Sequence, residues 1–411
     1  GSITLTLIAN GNAPCDPVSD DMILTVTPLP TANAGGDDEV CTDQATFTVS
    51  GASHTDGAVL WTSSGTGTFV NATVDNPTYN LTAADKAAGT ITLTMTVTSP
   101  GSCAPATDNM TLTITPSPVA NAGPDDEVCS SEASFSFAGA SSSNGSVVWS
   151  TSGDGSFSDP NINNPVYTIG PNDRSAGSVT LTMTVNSPGS CGPDSDDMIL
   201  TITPAPAVNA GSDEEICEDA SHNFATSATA PSASNYSSLQ WSGGTGTFSD
   251  PNVLLPTYTP GAGETGNVTL TLTAFGNGSC AQVSNDMVLT ITPLPTADAG
   301  SDGEVCVDQP TYTIAGASAT NGSVNWTTSG DGSFSDPALI NPVYIIGAND
   351  QTNGSVVLTM QVNSPGSCGP ALDQMTLTIT PLPTADAGSD DEICASELTY
   401  TISGASFTNG T

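Results

Sequence analysis

Ten cysteines recur along the chain at regular spacing, and they are the residues best suited to form covalent bonds here. Consecutive cysteines lie alternately 26 and 62 or 63 residues apart. The absence of a C-x-x-C motif or a histidine partner argues against a zinc or redox site. We interpret the pattern as a disulfide framework of an oxidising, extracellular compartment. The cysteines are Cys15, Cys41, Cys103, Cys129, Cys191, Cys217, Cys280, Cys306, Cys368 and Cys394.

Acidic clusters recur shortly before the first cysteine of each pair. Several carboxylates in one place could form a hard-oxygen Ca²⁺ site, the one cofactor that the sequence suggests. The alternative is that they are solvated charges that keep the protein soluble, and the absence of a D-x-D-x-D-G loop favours it. The candidate Ca²⁺ ligands are Asp37, Asp38, Glu39, Asp125, Asp126, Glu127, Asp213, Glu214, Glu215, Asp302 and Glu304, with Asp390, Asp391 and Glu392 in the last cluster. Aspartates that open a later strand could contribute, namely Asp20, Asp21, Asp108, Asp196, Asp197, Asp286 and Asp373.

Composition excludes several classes of function. The 411 residues carry 42 acidic side chains against Lys86 and Arg174, a net charge of -40, which excludes a basic nucleic-acid-binding face. The apolar runs are too short to span a membrane. Only His54 and His222 exist, at unrelated positions, and no G-x-S-x-G motif is present. We therefore expect no enzymatic activity and no catalytic residue.

The chain repeats itself with a period of 88 or 89 residues, marked by a T-P-x-P motif. That period is long enough for each repeat to be a whole domain. Because both ends interrupt the pattern, we expect the sequence to be part of a longer protein. The predicted ranges are the C-terminal part of a preceding repeat (1–30), four repeats (31–118, 119–206, 207–295 and 296–383) and the N-terminal part of a following repeat (384–411).

Alternation of polar and apolar residues, as in Thr90 to Val97, is typical of half-buried strands. About seven such segments per repeat, separated by Gly, Asn, Ser and Pro clusters, predict an Ig-like antiparallel β-sandwich. The only helix-like segment is Ala83 to Ala88, so we expect an all-β protein. A tandem array of such sandwiches is expected to form an elongated rod.

One tryptophan and one Pro-x-Tyr tyrosine occur in every repeat. A surface tryptophan can stack on glycans, but one per Ig-like unit is more typical of a core residue. We interpret the tyrosines as packing residues whose hydroxyls bond a nearby turn. The residues are Trp61, Trp149, Trp241, Trp326, Tyr79, Tyr167, Tyr258 and Tyr344.

Two disulfide pairings remain open. In an Ig-like domain the first cysteine lies near the turn after the opening strand, and the second lies in the last strand connection, at the opposite end. Pairing across 26 residues would join distant points of consecutive domains, so it is rejected. Pairing between consecutive repeats is favoured, namely Cys41–Cys191, Cys129–Cys280 and Cys217–Cys368. The alternative is pairing within a repeat, namely Cys41–Cys103, Cys129–Cys191, Cys217–Cys280 and Cys306–Cys368.

The motifs P-T-A-N-A-G-x-D-x-x-V-C, W-T-S-S-G-x-G-x-F and D-x-M-T-L-T-I-T-P-x-P resemble the PKD-like or Ig-like tandem repeats of giant Bacteroidota surface proteins. The resemblance is to gliding-motility adhesins of the SprB type, and it covers essentially the whole chain. Only Gly153-Asp154-Gly155 and Gly330-Asp331-Gly332 match part of the usual PKD turn. The resemblance implies export by type IX secretion and display as cell-surface filaments.

The leading hypothesis is a repeat segment of an extracellular bacterial adhesin, a disulfide-stiffened stalk for surface attachment and gliding motility. Its partners would be neighbouring repeats of the same long chain and an unidentified surface, glycan or protein ligand. The alternatives are a purely architectural surface fibre or sheath, and the spacer repeats of a secreted hydrolase.

Overall fold

The computed structural model describes residues 1–410, and it is nearly all β, with 48% strand and 5% helix. The chain divides into two compact units. The first comprises residues 1–204 together with 278–280, and the second comprises residues 205–277 and 281–411. The first unit holds an N-terminal hairpin and two repeats, and the second holds two repeats and the C-terminal segment.

The first repeat shows the plan that the others follow. Its single helix, α1, spans Ala83–Ala88. The hairpin before it has strands β1 (Ser2–Ala9) and β2 (Val18–Thr25). The strands of the repeat are β3 (Thr31–Asn33), β4 (Asp38–Cys41), β5 (Thr46–Thr48), β6 (Ser53–Thr55), β7 (Ala58–Ser63), β8 (Thr68–Phe69), β9 (Thr78–Asn80), β10 (Thr90–Thr98) and β11 (Ala106–Thr115).

These nine strands form three sheets. The main sheet has the order β4-β11-β10-β7, a second has the order β5-β9-β8, and β3 pairs with β6. All pairs are antiparallel except β4 with β11, which run parallel and bring Cys41 beside Thr115. The parallel pair is possible because the two strands are separated by the rest of the repeat rather than by a tight turn.

The first repeat has nine strands where the sequence predicts about seven, in part because one predicted segment is divided. The run from Thr46 to Thr55 forms both β5 and β6, since Gly51 adopts a left-handed conformation (φ 71°) and turns the chain between them. Strand β8 has only two residues. The Ig-like sandwich architecture itself is as predicted.

Alternation decides which side chains enter the core. Along β10 the apolar residues Ile91, Leu93, Met95 and Val97 are at most 3% exposed, whereas the threonines between them face outward. A β-branched residue suits the pleated strand while its hydroxyl meets water. Burial of such alternating rows is the main source of stability for each repeat.

The other repeats follow the same strand order, but the third has no α-helix and instead has a 3-10 helix after its third strand. In the second repeat they are Val119–Asn121, Asp126–Cys129, Ser134–Ser136, Ser141–Ser143, Ser146–Thr151, Ser156–Phe157, Val166–Thr168, helix Pro171–Ala176, Ser178–Asn186 and Asp194–Thr203. In the third they are Ala207–Asn209, Glu214–Cys217, His222–Asn223, 3-10 helix Phe224–Thr226, Ser232–Ser234, Tyr236–Gly243, Thr247–Phe248, Thr257–Thr259, Gly266–Gly276 and Val283–Thr292. In the fourth they are Thr296–Asp298, Gly303–Cys306, Thr311–Thr313, Ser318–Thr320, Ser323–Thr328, Ser333–Phe334, Val343–Ile345, helix Ala348–Asn353, Ser355–Asn363 and Ala371–Thr380. The C-terminal segment has strands Thr384–Asp386 and Ser406–Thr408.

Each repeat encloses a separate hydrophobic core. The four cores lie within residues 34–114, 122–202, 210–291 and 299–379. The N-terminal hairpin has no core of its own: Leu5 and Met22 are 46% and 58% exposed, whereas the equivalent Leu93 and Met110 of the first repeat are at most 2% exposed. The hairpin thus corresponds to the last two strands of a repeat without the others.

Candidate functional site

The cysteines lie at two fixed places in the fold. The first cysteine of a repeat ends the second strand, where Cys41 pairs in register with Thr115 at the end of β11. The second lies in the loop between the last two strands, as Cys103 does between β10 and β11. These two places are at opposite ends of the repeat, which separates Cys41 from Cys103.

The structure contains three disulfides, and each joins cysteines of consecutive repeats. Cys41 is bonded to Cys191, Cys129 to Cys280, and Cys217 to Cys368, with Cα atoms 5.4, 4.8 and 5.0 Å apart. These are the pairs that the sequence favours over pairing within a repeat. Cys280 belongs to the segment 278–280, which is part of the first compact unit. Cys15, Cys103, Cys306 and Cys394 are free.

A glutamate two residues before the first cysteine holds the same junction by hydrogen bonds. Glu39 accepts a hydrogen bond from the hydroxyl of Thr115 in its own repeat. The same carboxylate oxygen accepts one from the backbone N–H of Ser190, at 3.3 Å, in the loop of the next repeat. We call this arrangement the carboxylate clamp: a glutamate, the last threonine of the same repeat, and the serine that precedes the bonded cysteine.

The carboxylate clamp recurs at the other two disulfides. Glu127 accepts from Thr203 and from the N–H of Ser279, and Glu215 accepts from Thr292 and from the N–H of Ser367. The distances to the two serine nitrogens are 3.2 and 3.1 Å. Each disulfide is therefore accompanied by a charge-assisted hydrogen bond between the same two repeats.

A glycine before each of these serines permits the close approach. A Cβ atom added at Gly189, Gly278 or Gly366 would lie 2.0, 1.8 or 1.9 Å from the glutamate oxygen of the clamp. A side chain at these positions would force the glutamate carboxylate to move out of the clamp. The glycine of the G-S-C loop thus leaves room for the glutamate of the preceding repeat.

The hydrogen bonds of the clamp also favour the ionised glutamate. The hydroxyl of Thr203 and then the N–H of Ser279 lower the pKa of Glu127 below its usual 4.5, and Thr292 and Ser367 do the same to Glu215. A lowered pKa in the folded state means that these bonds are intact above pH 4.5 and are lost as the pH falls through the lower folded value.

The aspartates of the acidic clusters bond to backbone amides. The first aspartate of each cluster accepts from the N–H of a residue in the last strand of its repeat, as Asp37 does from Thr111 at 2.7 Å. Equivalent bonds join Asp125 to Ile199, Asp213 to Val288 and Asp302 to Thr376. Asp38 and Asp126 each accept from the N–H of the following glutamate.

The aspartates of the last strand bond elsewhere. Asp108 accepts from the N–H of Ala34, Asp196 from that of Ala122, and Asp373 from that of Ala299, each at 2.7 or 2.8 Å. Within residues 1–410, no group of three or more His, Cys, Asp and Glu side chains is arranged to hold a metal ion. Ca²⁺ binding at the junction carboxylates therefore stays a prediction.

The four tryptophans lie in the cores, each 2 or 3% exposed. The indole N–H of Trp149 donates to the carbonyl of Ile162 at 3.0 Å, and its ring centroid is 4.4 Å from that of Phe137. Trp61, Trp241 and Trp326 make the same type of backbone bond, to Val74, Leu254 and Leu339. None is available as a surface platform for a glycan.

A buried tyrosine–carboxylate pair was not predicted from the sequence. The hydroxyl of Tyr167 donates to Asp173 at 2.8 Å, and Asp173, 1% exposed, also accepts from the N–H groups of Gly170 and Asp154. Burial raises the pKa of Tyr167 to about 12. Burial opposes ionisation of Asp173, but the hydrogen bonds from Tyr167, Gly170 and Asp154 outweigh it and lower the pKa of this carboxyl.

The pair occurs in every repeat with a spacing of six residues. Tyr79 is paired with Asp85, Tyr344 with Asp350, and Tyr258 with Glu264. That constant spacing is the sequence signal that could have revealed it. The pair ties the short helix, or the turn that replaces it in the third repeat, to the core, so it is a structural element.

The two histidines lie in different repeats and have separate partners. His54 contacts Asp75 on the surface, and His222 is 3% exposed with Nδ1 3.6 Å from Glu214. Burial lowers the pKa of His222, and the charge of Glu214 opposes this effect only in part.

The sheets, the separate cores and the repeated junctions define a tandem array of Ig-like β-sandwich repeats. No protein-family model matches the chain. No curated protein matches it either. Within residues 1–410, every helix is too short to cross a membrane.

Solved structures with similar chain traces are tandem domains. A three-Ig structure of titin is 12% identical, with a TM-score of 0.40, and the match covers 64% of this chain and 98% of that one. Drosophila N-cadherin EC1-4 is 12% identical, with a TM-score of 0.31, and the match covers 84% of this chain and 99% of that one. Sidekick-1 immunoglobulin domains 1-5 are 14% identical, with a TM-score of 0.29 and coverage of 89% and 84%. The assignment of the fold rests on the sheets described above.

Proposed function

We propose that this chain is a non-enzymatic repeat segment of an extracellular surface adhesin, in which it serves as a stalk stiffened by disulfides. The observation that carries the proposal is the way the three disulfides overlap along the sequence. Each closes a loop of about 150 residues, and Cys129 lies inside the first loop as Cys217 lies inside the second. The four repeats are thus covalently interlocked.

Such interlocking limits how far the chain extends under load. A pulling force is carried from Cys41 to Cys191 and from Cys217 to Cys368 without stretching the residues between. The carboxylate clamp at each disulfide adds a hydrogen bond between the same repeats. A segment built in this way transmits force to a distal binding site, which is the task of an adhesin stalk.

The chemistry of the chain supports an extracellular location. Disulfides persist in oxidising compartments. The net charge of -40 keeps neighbouring stalks apart by repulsion and protects exposed strand edges from pairing, a role for which lysine is more usual. The proposed partners are neighbouring repeats of the same long chain and an unidentified surface, glycan or protein ligand.

The finer part of the proposal rests on the sequence resemblance alone. It assigns the parent protein to the gliding-motility adhesins of the SprB type, exported by type IX secretion. Antibodies against the repeats should label the surface of intact source cells, and labelling should disappear when type IX secretion is disabled. Surface labelling that persists without that machinery would contradict this assignment.

Force spectroscopy tests the stalk. Pulled from residues 1 and 411 under oxidising conditions, the chain should reach only about a quarter of its reduced contour length, because overlapping disulfides remove the rest from the load path. Reduction with dithiothreitol should restore the full length of about 3.3–3.6 Å per residue.

The matched control is the Cys41→Ser, Cys129→Ser, Cys217→Ser variant, whose extension should not depend on reductant. Full extension of the oxidised wild-type chain would contradict the proposal. It would show that the repeats unfold independently, as in a simple tether.

We also propose that the stalk needs no metal ion. The aspartates of the clusters already bond to backbone amides, so the unfolding temperature should be the same in Ca²⁺ and in EDTA, within about 1 °C, as measured by calorimetry. One kcal/mol of stabilisation would move the transition by roughly 4–8 °C for a domain of this size. A rise of several degrees in Ca²⁺ would assign a Ca²⁺ site to the junctions.

A further inference from the structure

The fourth repeat carries all the groups of a junction except the loop that completes it. Cys306 ends its strand beside Thr380, in the register that places Cys41 beside Thr115 and Cys217 beside Thr292. Glu304 precedes Cys306 by two residues, as the clamp glutamates do. We call Glu304, Cys306 and Thr380 the open junction.

Hydrogen bonding at the open junction differs from that at the three closed ones. The hydroxyls of the equivalent threonines donate to the clamp glutamate, but that of Thr380 donates to the carbonyl of Val305 at 3.2 Å. Within residues 1–410, the exposed carboxylate of Glu304 accepts no hydrogen bond. The thiol of Cys306 is half-buried and free.

We propose that the open junction is a binding and covalent-capture site for the Ser-Cys loop of one further repeat of this kind. This inference rests on the stalk proposed above and extends it to a specific interface. The three closed junctions show what the partner supplies: a cysteine for Cys306, the N–H of the preceding serine for Glu304, and a glycine before that serine.

The loop of the first repeat shows that a donor loop is in place before its disulfide forms. The free thiol of Cys103 donates to the carbonyl of Thr27 at 3.6 Å. The sulfurs of Cys191, Cys280 and Cys368 lie 3.6, 3.4 and 3.3 Å from the carbonyls of Thr115, Thr203 and Thr292, the residues equivalent to Thr27. The loop therefore docks on the last strand of the preceding repeat in the same way with and without its disulfide.

Capture proceeds by thiol–disulfide exchange with a disulfide donor such as oxidised glutathione. The thiolate of Cys306 or of the incoming cysteine attacks the donor and releases one glutathione thiol. The second cysteine thiolate then displaces the remaining glutathione, so the two protein thiols lose two electrons and two protons and two reduced glutathiones form. The docked loop favours this second step because it holds the two sulfurs together.

The test lengthens the chain by the part that completes the next repeat. Residues 384–411 correspond to 31–58, so a copy of residues 59–118 is appended after Thr411 in a Cys103→Ser background. After oxidation in a glutathione buffer, peptide mapping should find Cys306 bonded to the cysteine of the copy. Gly101→Val within the copy should reduce the bonded fraction about tenfold, because its side chain meets the carboxylate of Glu304.

The mapping separates the two proposals. If Cys306 stays free or bonds Cys394 while Cys41–Cys191 and Cys217–Cys368 are present, the inference is overturned and the stalk proposal stands. If the internal pairs are missing as well, both fail.

A second measurement on the unextended chain covers the case in which the appended repeat does not fold. The peptide of residues 186–193 (NSPGSCGP) should form a mixed disulfide with Cys306 about tenfold more readily than with the exposed Cys394. The same peptide with Gly189→Val should lose that preference. Equal labelling of the two cysteines by both peptides would overturn the inference.

Discussion

Replacing Trp149 by alanine is expected to lower the free energy of unfolding of the second repeat by about 3–5 kcal/mol, the usual range for a buried large aromatic side chain. Trp149 is 3% exposed and packs against Phe137 and Phe157. Its loss leaves a cavity between the four-stranded and the three-stranded sheet of the repeat. The carbonyl of Ile162 also loses its hydrogen-bond donor.

Hydrogen exchange resolved by repeat is the appropriate measurement, because the unfolding of several domains overlaps in a single denaturation curve. Amides in the core of the second repeat should exchange roughly 100 to 4,000 times faster in the variant, since each 1.4 kcal/mol corresponds to a factor of ten. The matched control is Val148→Ala on the same strand. Because the Val148 side chain is 41% exposed, this substitution should change the exchange rates little. Equal effects of the two substitutions would show that Trp149 contributes no more to the free energy of unfolding than the exposed Val148, which would contradict the prediction.

Replacing Asp173 by alanine is expected to cost about as much, roughly 3–5 kcal/mol, for a different reason. The substitution removes the acceptor shared by the buried hydroxyl of Tyr167, the buried N–H of Gly170 and the partly buried N–H of Asp154. An unsatisfied buried donor costs about 1–3 kcal/mol. The short helix Pro171–Ala176 should lose its attachment to the core first.

The pH dependence distinguishes this effect from a loss of packing. The pKa of Asp173 is lowered from 3.8 in the folded state, so its stabilisation is fully present above that value and is lost as the pH falls through the lower folded pKa. The difference in exchange between wild type and variant should therefore shrink as the pH falls below 3.8. The control Asp159→Ala removes an exposed carboxylate that accepts from the backbone N–H and the side-chain amide of Asn161, and it should be nearly neutral. A difference that does not change with pH would rule out the ionised carboxylate as the source.

The sequence by itself determined the all-β class and the residues of the core, whereas the bounds of the repeats stay its prediction. Period-two alternation fixes which face of a strand is buried, so Leu93 and Met95 could be assigned to the core without a structure. One tryptophan per repeat, on an alternating strand, was interpreted in the same way. These properties are local, since each depends on neighbours a few residues away.

Only the tertiary structure decided which cysteines pair and which groups the carboxylates bond, because the spacing of residues along the sequence leaves both open. Pairing of Cys41 with Cys191 rather than with Cys103 depends on which ends of consecutive repeats meet, a contact across 150 residues. The carboxylate clamp likewise requires Glu39 and Ser190 to be neighbours in space. The sequence offers the acidic clusters as candidate Ca²⁺ ligands, but it does not show which backbone amides their carboxylates face. Only the parallel strand pair and the docked loop bring those donors to them.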